Sequence, residues 1–466
     1  MSLNRYAPLW VGLVALAVAY LLAWGLSPGD PAPGDDVPAA VSPAERSERA
    51  GSAASGPGTA EPGNGPGTRT GTATAESRIG IDTVERATSY RAQSRRIALA
   101  GLLLQFVALG LLAFYRGPPV RTALDRLARR PLAGAAVAGF SLVLILTLVR
   151  LPLSLAGFDL GRDFGLVTQP RGEWLVDLAI STLITASLAA AGATVAMALW
   201  RRLGNRFWIA ASALVAVWAV VVVWLWPVVV SPVFNSFDRL PPGPVRSDVE
   251  RLADRAGVDV GEVYAVDASR RSTTLNAYVN GIASSKRVVI YDNAISRLSR
   301  AELSALIAHE LGHVEANDLY RGMLYAILVI PLGVLFVQVG TRAAVGRSGD
   351  DPTGPGIVPA LALMTAVAAL MLSLPGNLLS RSIETRADRY TLALTSDPDA
   401  LIGLQVQLAR ANLSDPDPPG LYQFLFGSHP STGDRIDEAG SWPEAAAPDP
   451  ATSGSDRLRG RGGEGS

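Results

Sequence analysis

Ala305-Leu-Ile-Ala-His309-Glu310-Leu-Gly-His313-Val-Glu315 is the stretch that decides how this chain is read. His309 and His313 stand four residues apart, so a helix carries both rings on one face, about 6 Å apart along its axis. Two imidazoles at that spacing can both reach one Zn²⁺, at about 2.1 Å each. Glu310 follows the first of them, placed to take a proton from a water that the ion activates rather than to bind the ion itself. The chain has 3 histidines in 466 residues, and two of them fall here. The competing interpretation is an amphipathic helix whose histidines only pack or hydrogen-bond. Gly312 speaks against it, because glycine costs a helix interior about 1 kcal/mol and so signals that something approaches the backbone there.

The surroundings of this helix are those of a membrane protein. Hydrophobic residues make up 49% of the chain and charged ones 18%. The apolar residues come in long runs, at 9–26, 97–115, 132–149, 175–200, 207–230, 323–339 and 357–379, each long enough to cross about 30 Å of hydrocarbon as a helix. Seven membrane spans are therefore expected. The first is read as a retained span rather than a signal peptide, since it is long and ends Trp24-Gly-Leu-Ser-Pro28 without a small-x-small site. Residues 27–80 are rich in Pro, Gly, Ala, Ser and Thr and lack the apolar surface to offset their ordering entropy, which predicts a disordered linker. The tail 441–466 reads the same way. Asp177, near the start of the fourth run, faces either an interior cavity or the headgroup zone. Cysteine is absent, so a metal must rest on His and carboxylates, and the zero formal charge gives no reason to expect nucleic acid as a partner.

Between the fifth and sixth runs the chain turns polar. Pro232, Pro241, Pro242 and Pro244 mark a break, and residues 245–256 have helical periodicity. Strand-like runs follow at 263–266, 275–279 and 287–291, with Asn280-Gly281 supplying turn chemistry. Ser299, with Glu302 three residues on, predicts a capping box at the start of the His309 helix.

A catalytic zinc needs three protein ligands and one open position. The third ligand is then a carboxylate or His429. Glu384, in Ser380-Arg-Ser-Ile-Glu384-Thr-Arg-Ala-Asp388-Arg-Tyr390, directly follows the seventh span, as the His309 helix directly precedes the sixth. A hairpin of those two spans would bring both motifs to one membrane face. Asp388, four residues on, could brace a ligand histidine from behind. The bland alternative is an ordinary charged juxtamembrane helix. Glu315 and Asp318 are rival ligands, but lie too close along the helix to wrap the ion easily. His429, in the turn-rich loop Phe426-Gly-Ser-His429-Pro-Ser-Thr-Gly-Asp434-Arg435, could donate to an oxyanion or merely hold its loop.

Four blocks thus stand in one order: Asn276-Ala277-Tyr278, the His309 helix, Asn377…Ser380-Arg381…Glu384…Ala387-Asp388…Tyr390, and Ser428-His429-Pro430…Arg435. Together with Pro232…Phe234-Asn235 and the seven spans, they resemble the type I CAAX prenyl protease family of integral-membrane zinc metalloendopeptidases, over roughly residues 90–440. The resemblance implies a mainly α polytopic membrane protein, with about seven transmembrane helices enclosing a water-filled chamber and a small α+β zincin-like catalytic domain. It implies that His309, His313 and Glu384 bind one Zn²⁺ and that Glu310 is the general base. Asn276 and His429 would flank the metal and stabilise the oxyanion, and Arg381 and Asp388 would support the site. The edge strand near Asn276 would receive a peptide or protein substrate as an added strand. The sequence departs from the family in its long linker after the first span.

On this basis the chain divides into a first transmembrane helix (1–26), the linker (27–80), helices two to five (90–231), a zinc-peptidase domain (232–322), helices six and seven (323–380), a third-ligand helix with its His-Pro loop (381–440) and the tail (441–466). The protein expected is a multi-pass metalloendopeptidase of a bacterial plasma membrane. Rivals are a quality-control protease of the heat-shock type, which has fewer spans, and a non-enzymatic zinc-containing sensor, which would not need Glu310. Site-2-type intramembrane proteases place the motif inside an apolar span, whereas residues 297–302 here are polar. The resemblance puts the catalytic domain on the cytoplasmic side, and that is the expectation. The arginines of the short connections at 116–130 and 201–206 argue the opposite by the positive-inside rule.

Overall fold

A computed structural model of the chain describes residues 6–28, 75–115, 117–281, 286–348, 351 and 353–442. Nearly all of the linker and tail expected to be disordered lies outside the described residues. Apolar runs become helices here because hydrocarbon offers a backbone amide no partner but its own chain. In order they are α1 (Ala7–Leu26), α2 (Ala75–Ile79), α3 (Ile81–Phe114), α4 (Pro118–Ala128), α5 (Pro131–Asp163), α6 (Arg171–Leu203) and α7 (Phe207–Leu225).

Among the described residues, 6 helical segments are long and apolar enough to cross a membrane, and one of them, Arg171–Leu225, is 55 residues long. A straight helix of that length would measure about 80 Å, far more than a bilayer needs. It divides into α6 and α7 at the turn Gly204–Arg206, where Gly204 takes a φ of 51°. The Trp200 and Phe207 rings pack at 4.9 Å between centroids. In one continuous helix those two residues would be about 10 Å apart along the axis. The chain bends, and seven membrane helices result.

A short polar module follows α7. Strand β1 (Phe237–Arg239) pairs antiparallel with β2 (Glu262–Val266), β2 runs parallel to β4 (Arg287–Tyr291), and β4 pairs antiparallel with β3 (Ala277–Asn280). The sheet order β1-β2-β4-β3 leaves β3 at an edge. The predicted strands hold to within two residues, and β1, three residues long, has too little alternation to be read from sequence. Helix α9, after α8 (Ser231–Phe234), spans Pro244–Arg255. Beyond the sheet come α10 (Asp292–Arg297), α11 (Arg300–Glu315), α12 (Asp318–Ser348), α13 (Val358–Thr395), α14 (Pro398–Asn412), α15 (Gly420–Phe426) and α16 (Thr432–Ser441). Leu252, Ile290, Ile307, Leu311, Leu392, Leu401 and Leu404 are fully buried in one core joining the sheet to α11, α13 and α14. Each such side chain contributes about 1.5–3 kcal/mol by leaving water.

Helix α1 braces the two membrane helices that run into this core, and two polar contacts tie the core to the others. Helix α1 packs against α12 and α13 through a face of small residues, Gly12, Ala15, Ala19 and Ala23. Small residues let backbones approach, and a Cβ on Gly12 would lie 3.1 Å from the Phe336 ring. Helix α3, about 50 Å long, extends past the hydrocarbon. There Arg91 donates to the Leu413 and Asn412 carbonyls at 2.7 and 2.8 Å, and Arg95 pairs with Asp415 at 2.9 Å. Asp177 faces neither an empty cavity nor headgroups, but Arg271 of the catalytic module at 3.1 Å and the Gln169 amide at 2.6 Å.

Two expected boundaries move. Residues 75–79 belong to the compositional linker but form α2, whose Ile79 is 1% exposed and whose Ile79 and Arg78 carbonyls accept from Arg410. One buried isoleucine held this way is invisible to composition. The division at 380 falls inside α13, which runs unbroken from membrane to catalytic module.

Candidate metal centre

Helix α11 begins as predicted. The Glu302 amide donates to Ser299 Oγ at 3.3 Å and the Ser299 amide donates to Glu302 Oε2 at 2.8 Å. His309 is 6% exposed, and its ring meets that of His313 edge-on at 4.8 Å between centroids. Close approach at Gly312 is real: a Cβ there would sit 3.0 Å from the Tyr390 ring and 3.3 Å from its Cβ. That contact sets α13 against α11 and brings Glu384 to the histidines.

His309 Nε2 lies 3.3 Å, and His313 Nε2 3.7 Å, from the Glu384 carboxylate. Ligand atoms of these three residues lie within 4.8 Å of one another. The opposite ring nitrogens face carboxylates: His309 Nδ1 is 3.0 Å from Asp388 and His313 Nδ1 is 3.1 Å from Asp318. The His309–Asp388 approach is short but bent, so Nδ1 lacks a well-aligned hydrogen bond. With both Nδ1 atoms turned to acceptors, both Nε2 lone pairs point inward, which is how metal-binding imidazoles are oriented. Two nitrogens and a carboxylate converging in this way suit a divalent cation of the zinc kind. Asp318, a rival ligand on sequence, stands behind His313 instead, because Asn317 at φ 57° turns the chain sharply between α11 and α12. Glu315 pairs with Arg386 at 2.8 Å.

A cavity of about 300 Å³ opens beside the cluster, lined in part by Asn276, Glu310, Glu384, His429 and Arg435. Burial pushes the Glu310 carboxyl above the ordinary carboxylate range, against the neighbouring imidazoles, which pull it down. Asn276 Oδ1 accepts from the Ala277 amide at 2.9 Å, so Nδ2 is the group it can turn to the cavity. His429 Nε2 lies 3.3 Å from Glu384 Oε1 and its Nδ1 2.9 Å from Ser428 Oγ. Arg381 stands off the cluster and donates to the Gly427 and Gln423 carbonyls, holding the loop that carries His429.

Sequence reasoning left Arg435 without a role. It grips Asp388 with two bonds of 2.6 Å, completing a chain from Arg435 through Asp388 to His309. Its place six residues after His429 was the available signal. Gln405 and Asn412 also line the cavity, and nothing local in the sequence marks them.

The model of "CAAX prenyl protease N-terminal, five membrane helices" matches residues 69–236, and that of "Peptidase family M48" matches 240–442. A Bacillus subtilis protein named "Uncharacterized metalloprotease YhfN" is 32% identical over 307 residues, 64% of this chain and 72% of that one. The Arabidopsis thaliana "CAAX prenyl protease 1 homolog" is 32% identical over 227 residues, covering 47% of this chain and 52% of its own length. The Saccharomyces cerevisiae "CAAX prenyl protease 1" is 27% identical over 314 residues, 62% of this chain and 68% of that one. The crystal structure of S. mikatae Ste24p superimposes with a TM-score of 0.70 at 19% identity, over 94% of this chain and 99% of that one, which is a likeness of fold.

Proposed function

Since this chain belongs to peptidase family M48 and is a membrane metalloendopeptidase with a metal cofactor, we propose that the metal is a single Zn²⁺ held by His309, His313 and Glu384, with Glu310 as general base. The observation that supports it is the convergence of those three side chains, with each imidazole backed by its own carboxylate.

Bound there, zinc supplies Lewis acidity: it polarises the scissile carbonyl and lowers the pKa of a water. The Glu310 carboxylate, made a stronger base by burial, takes the proton from the attacking water and delivers it to the leaving amine. Asn276 Nδ2 and His429 Nε2 donate to the oxygen on which negative charge develops. Asp388, Asp318 and Arg435 fix the imidazoles, and Arg381 fixes the His429 loop. The edge of β3 offers backbone groups to an extended substrate, which is a peptide or a segment of a membrane-associated protein. The heat-shock-type and sensor readings are not needed to account for these features.

Metal analysis with peptide cleavage tests the assignment. Glu310→Gln is expected to keep zinc and lose about 10²- to 10⁴-fold in kcat, and Glu384→Ala to lose zinc. Full zinc occupancy in Glu384→Ala overturns the ligand set.

The membrane is taken as a bacterial plasma membrane, with the catalytic end in the cytoplasm as in the family resembled. One observation favours the reverse. Exposed Arg121, Arg126, Arg129, Arg130, Arg202 and Arg206 sit on short connections at the other end of the bundle, and short arginine-rich connections stay inside. Topology reporters fused after Arg130 and within 240–300 distinguish the two.

A further inference from the structure

The cavity beside the metal ligands contains one polar group that the chemistry above does not use. Its walls are apolar where Leu306 of α11 meets Leu404 and Leu408 of α14. Asn412 and Arg435, which also line it, are engaged. Asn412 accepts from the Leu275 amide at 2.9 Å and donates to the Leu275 carbonyl at 3.2 Å, and Arg435 is held by Asp388. Gln405 is different. It is 2% exposed, and its Nε2 is buried with no hydrogen-bond partner among the described residues.

Leaving an amide donor buried and unpaired costs about 1–3 kcal/mol, and native structures do so rarely. Nothing in the packing of α14 demands an amide at this position. Leu401, Leu404 and Leu408 on the same helix are leucines facing the same core, and leucine here would incur no such cost. As placed, Nε2 is shielded from the cavity, and the carboxamide must turn over for this donor to meet an acceptor that enters from outside.

We propose that this cavity is a side-chain subsite next to the scissile bond, and that Gln405 is its specificity-determining residue, taking a substrate side chain with an apolar stem and a neutral acceptor at its tip, such as the carboxamide of glutamine or asparagine. The three leucines cover the stem and Gln405 Nε2 donates to the carbonyl at its end. A substrate carboxylate is disfavoured, because Glu310 and Glu384 line the same cavity. The inference rests on the zinc-peptidase reading, since it needs the cluster to be the place of cleavage.

The test uses the full-length, zinc-loaded protein and a randomised peptide library, with cut sites profiled by mass spectrometry. Wild type is expected to favour Gln or Asn at one position adjoining the cut. For a peptide pair differing only there, Gln against Leu, the ratio of kcat/KM values should fall roughly tenfold in Gln405→Leu, the size of one lost hydrogen bond to a neutral group. Gln405→Met, which keeps the length and lacks the donor, should give the same fall. Zinc content should not change, and the melting temperature should hold or rise, because the unpaired donor is gone. A wild-type profile without carboxamide preference, or a fall shared equally by both peptides, overturns the subsite. A zinc-loaded wild type that cuts nothing overturns the peptidase reading beneath it, a different result.

Discussion

The two ends of the helical bundle handle the same residue type in opposite ways. At the catalytic end arginines are anchored: Arg435 on Asp388, Arg386 on Glu315, Arg321 on Asp318, Arg381 on the Gly427 carbonyl. At the far end Arg121, Arg126, Arg129, Arg130, Arg202 and Arg206 are exposed, Arg121 and Arg126 on the short amphipathic α4, and their neighbour Arg201 donates to the Thr353 carbonyl at 2.7 Å. A charge out of water must have a partner in fixed geometry, or it costs several kcal/mol. A charge in water or among headgroups is screened and needs no fixed partner. Substitutions should accordingly be severe at one end and mild at the other, and that contrast can be broken by experiment.

The strongest break is Asp388→Ala. It strands the buried Arg435 guanidinium and removes the acceptor behind His309 Nδ1. About 3–5 kcal/mol of stability should be lost and zinc affinity should fall about 10- to 100-fold, measurable by denaturation and competitive chelation. An Asp388→Ala protein with wild-type zinc affinity would show that the chain from Arg435 to His309 is ornamental.

A pH series on metal-free protein comes next. Burial alone would pull the His309 pKa down, but the Asp388 and Glu384 carboxylates more than reverse it, to about 10. Raised above its ordinary value near 6.5, this group adds stability that is complete below about pH 6.5 and lost as pH rises through about 10. The metal-free protein should therefore lose melting temperature between pH 7 and 10. Zinc-loaded protein should be flatter, because the ion replaces that proton, and zinc binding should weaken on acidification. Parallel curves for the two forms would contradict the assignment of His309 as a ligand.

Gly312→Ala sharpens the comparison within the catalytic end. The added methyl meets Tyr390 at its Cβ and ring, parts of the side chain that cannot swing away. Overpacking should cost about 1–3 kcal/mol, partly offset by the roughly 1 kcal/mol that alanine gains over glycine in a helix. Activity should fall more than stability suggests, since α13 carries Glu384. The mildest expectation is for Arg121→Gln with Arg126→Gln, which should leave melting temperature and zinc content within error. A large loss there would mean that the far end hides a partnered charge.

The sequence announced the part of the site that is local. The His309 helix, its Ser299–Glu302 cap and the significance of Gly312 all depend on residues a turn or two apart. Glu384, 71 positions beyond His313, was legible only through membrane topology, because two hydrophobic spans between the motifs limit where the second can lie. Arg435 reaches Asp388, and Gln405 reaches the cavity, only when helices distant in sequence pack together, and no periodicity encodes that. The short α2 and β1 escaped for another reason: each is held by a few tertiary contacts rather than by a pattern of its own.

Helix α13 is 38 residues long, with Pro375 inside it, and Glu384 and Asp388 lie on its last third. From its first residue to Glu384 is about 39 Å, so a two-degree change in tilt displaces that carboxylate by about 1.4 Å, beyond the ~0.5 Å within which a catalytic geometry must be held. The proposed third ligand is thus mounted on a lever whose other end lies among the membrane helices. Hydrocarbon thickness should then reach the proposed centre, and turnover in bilayers of different acyl-chain length is the measurement that shows it.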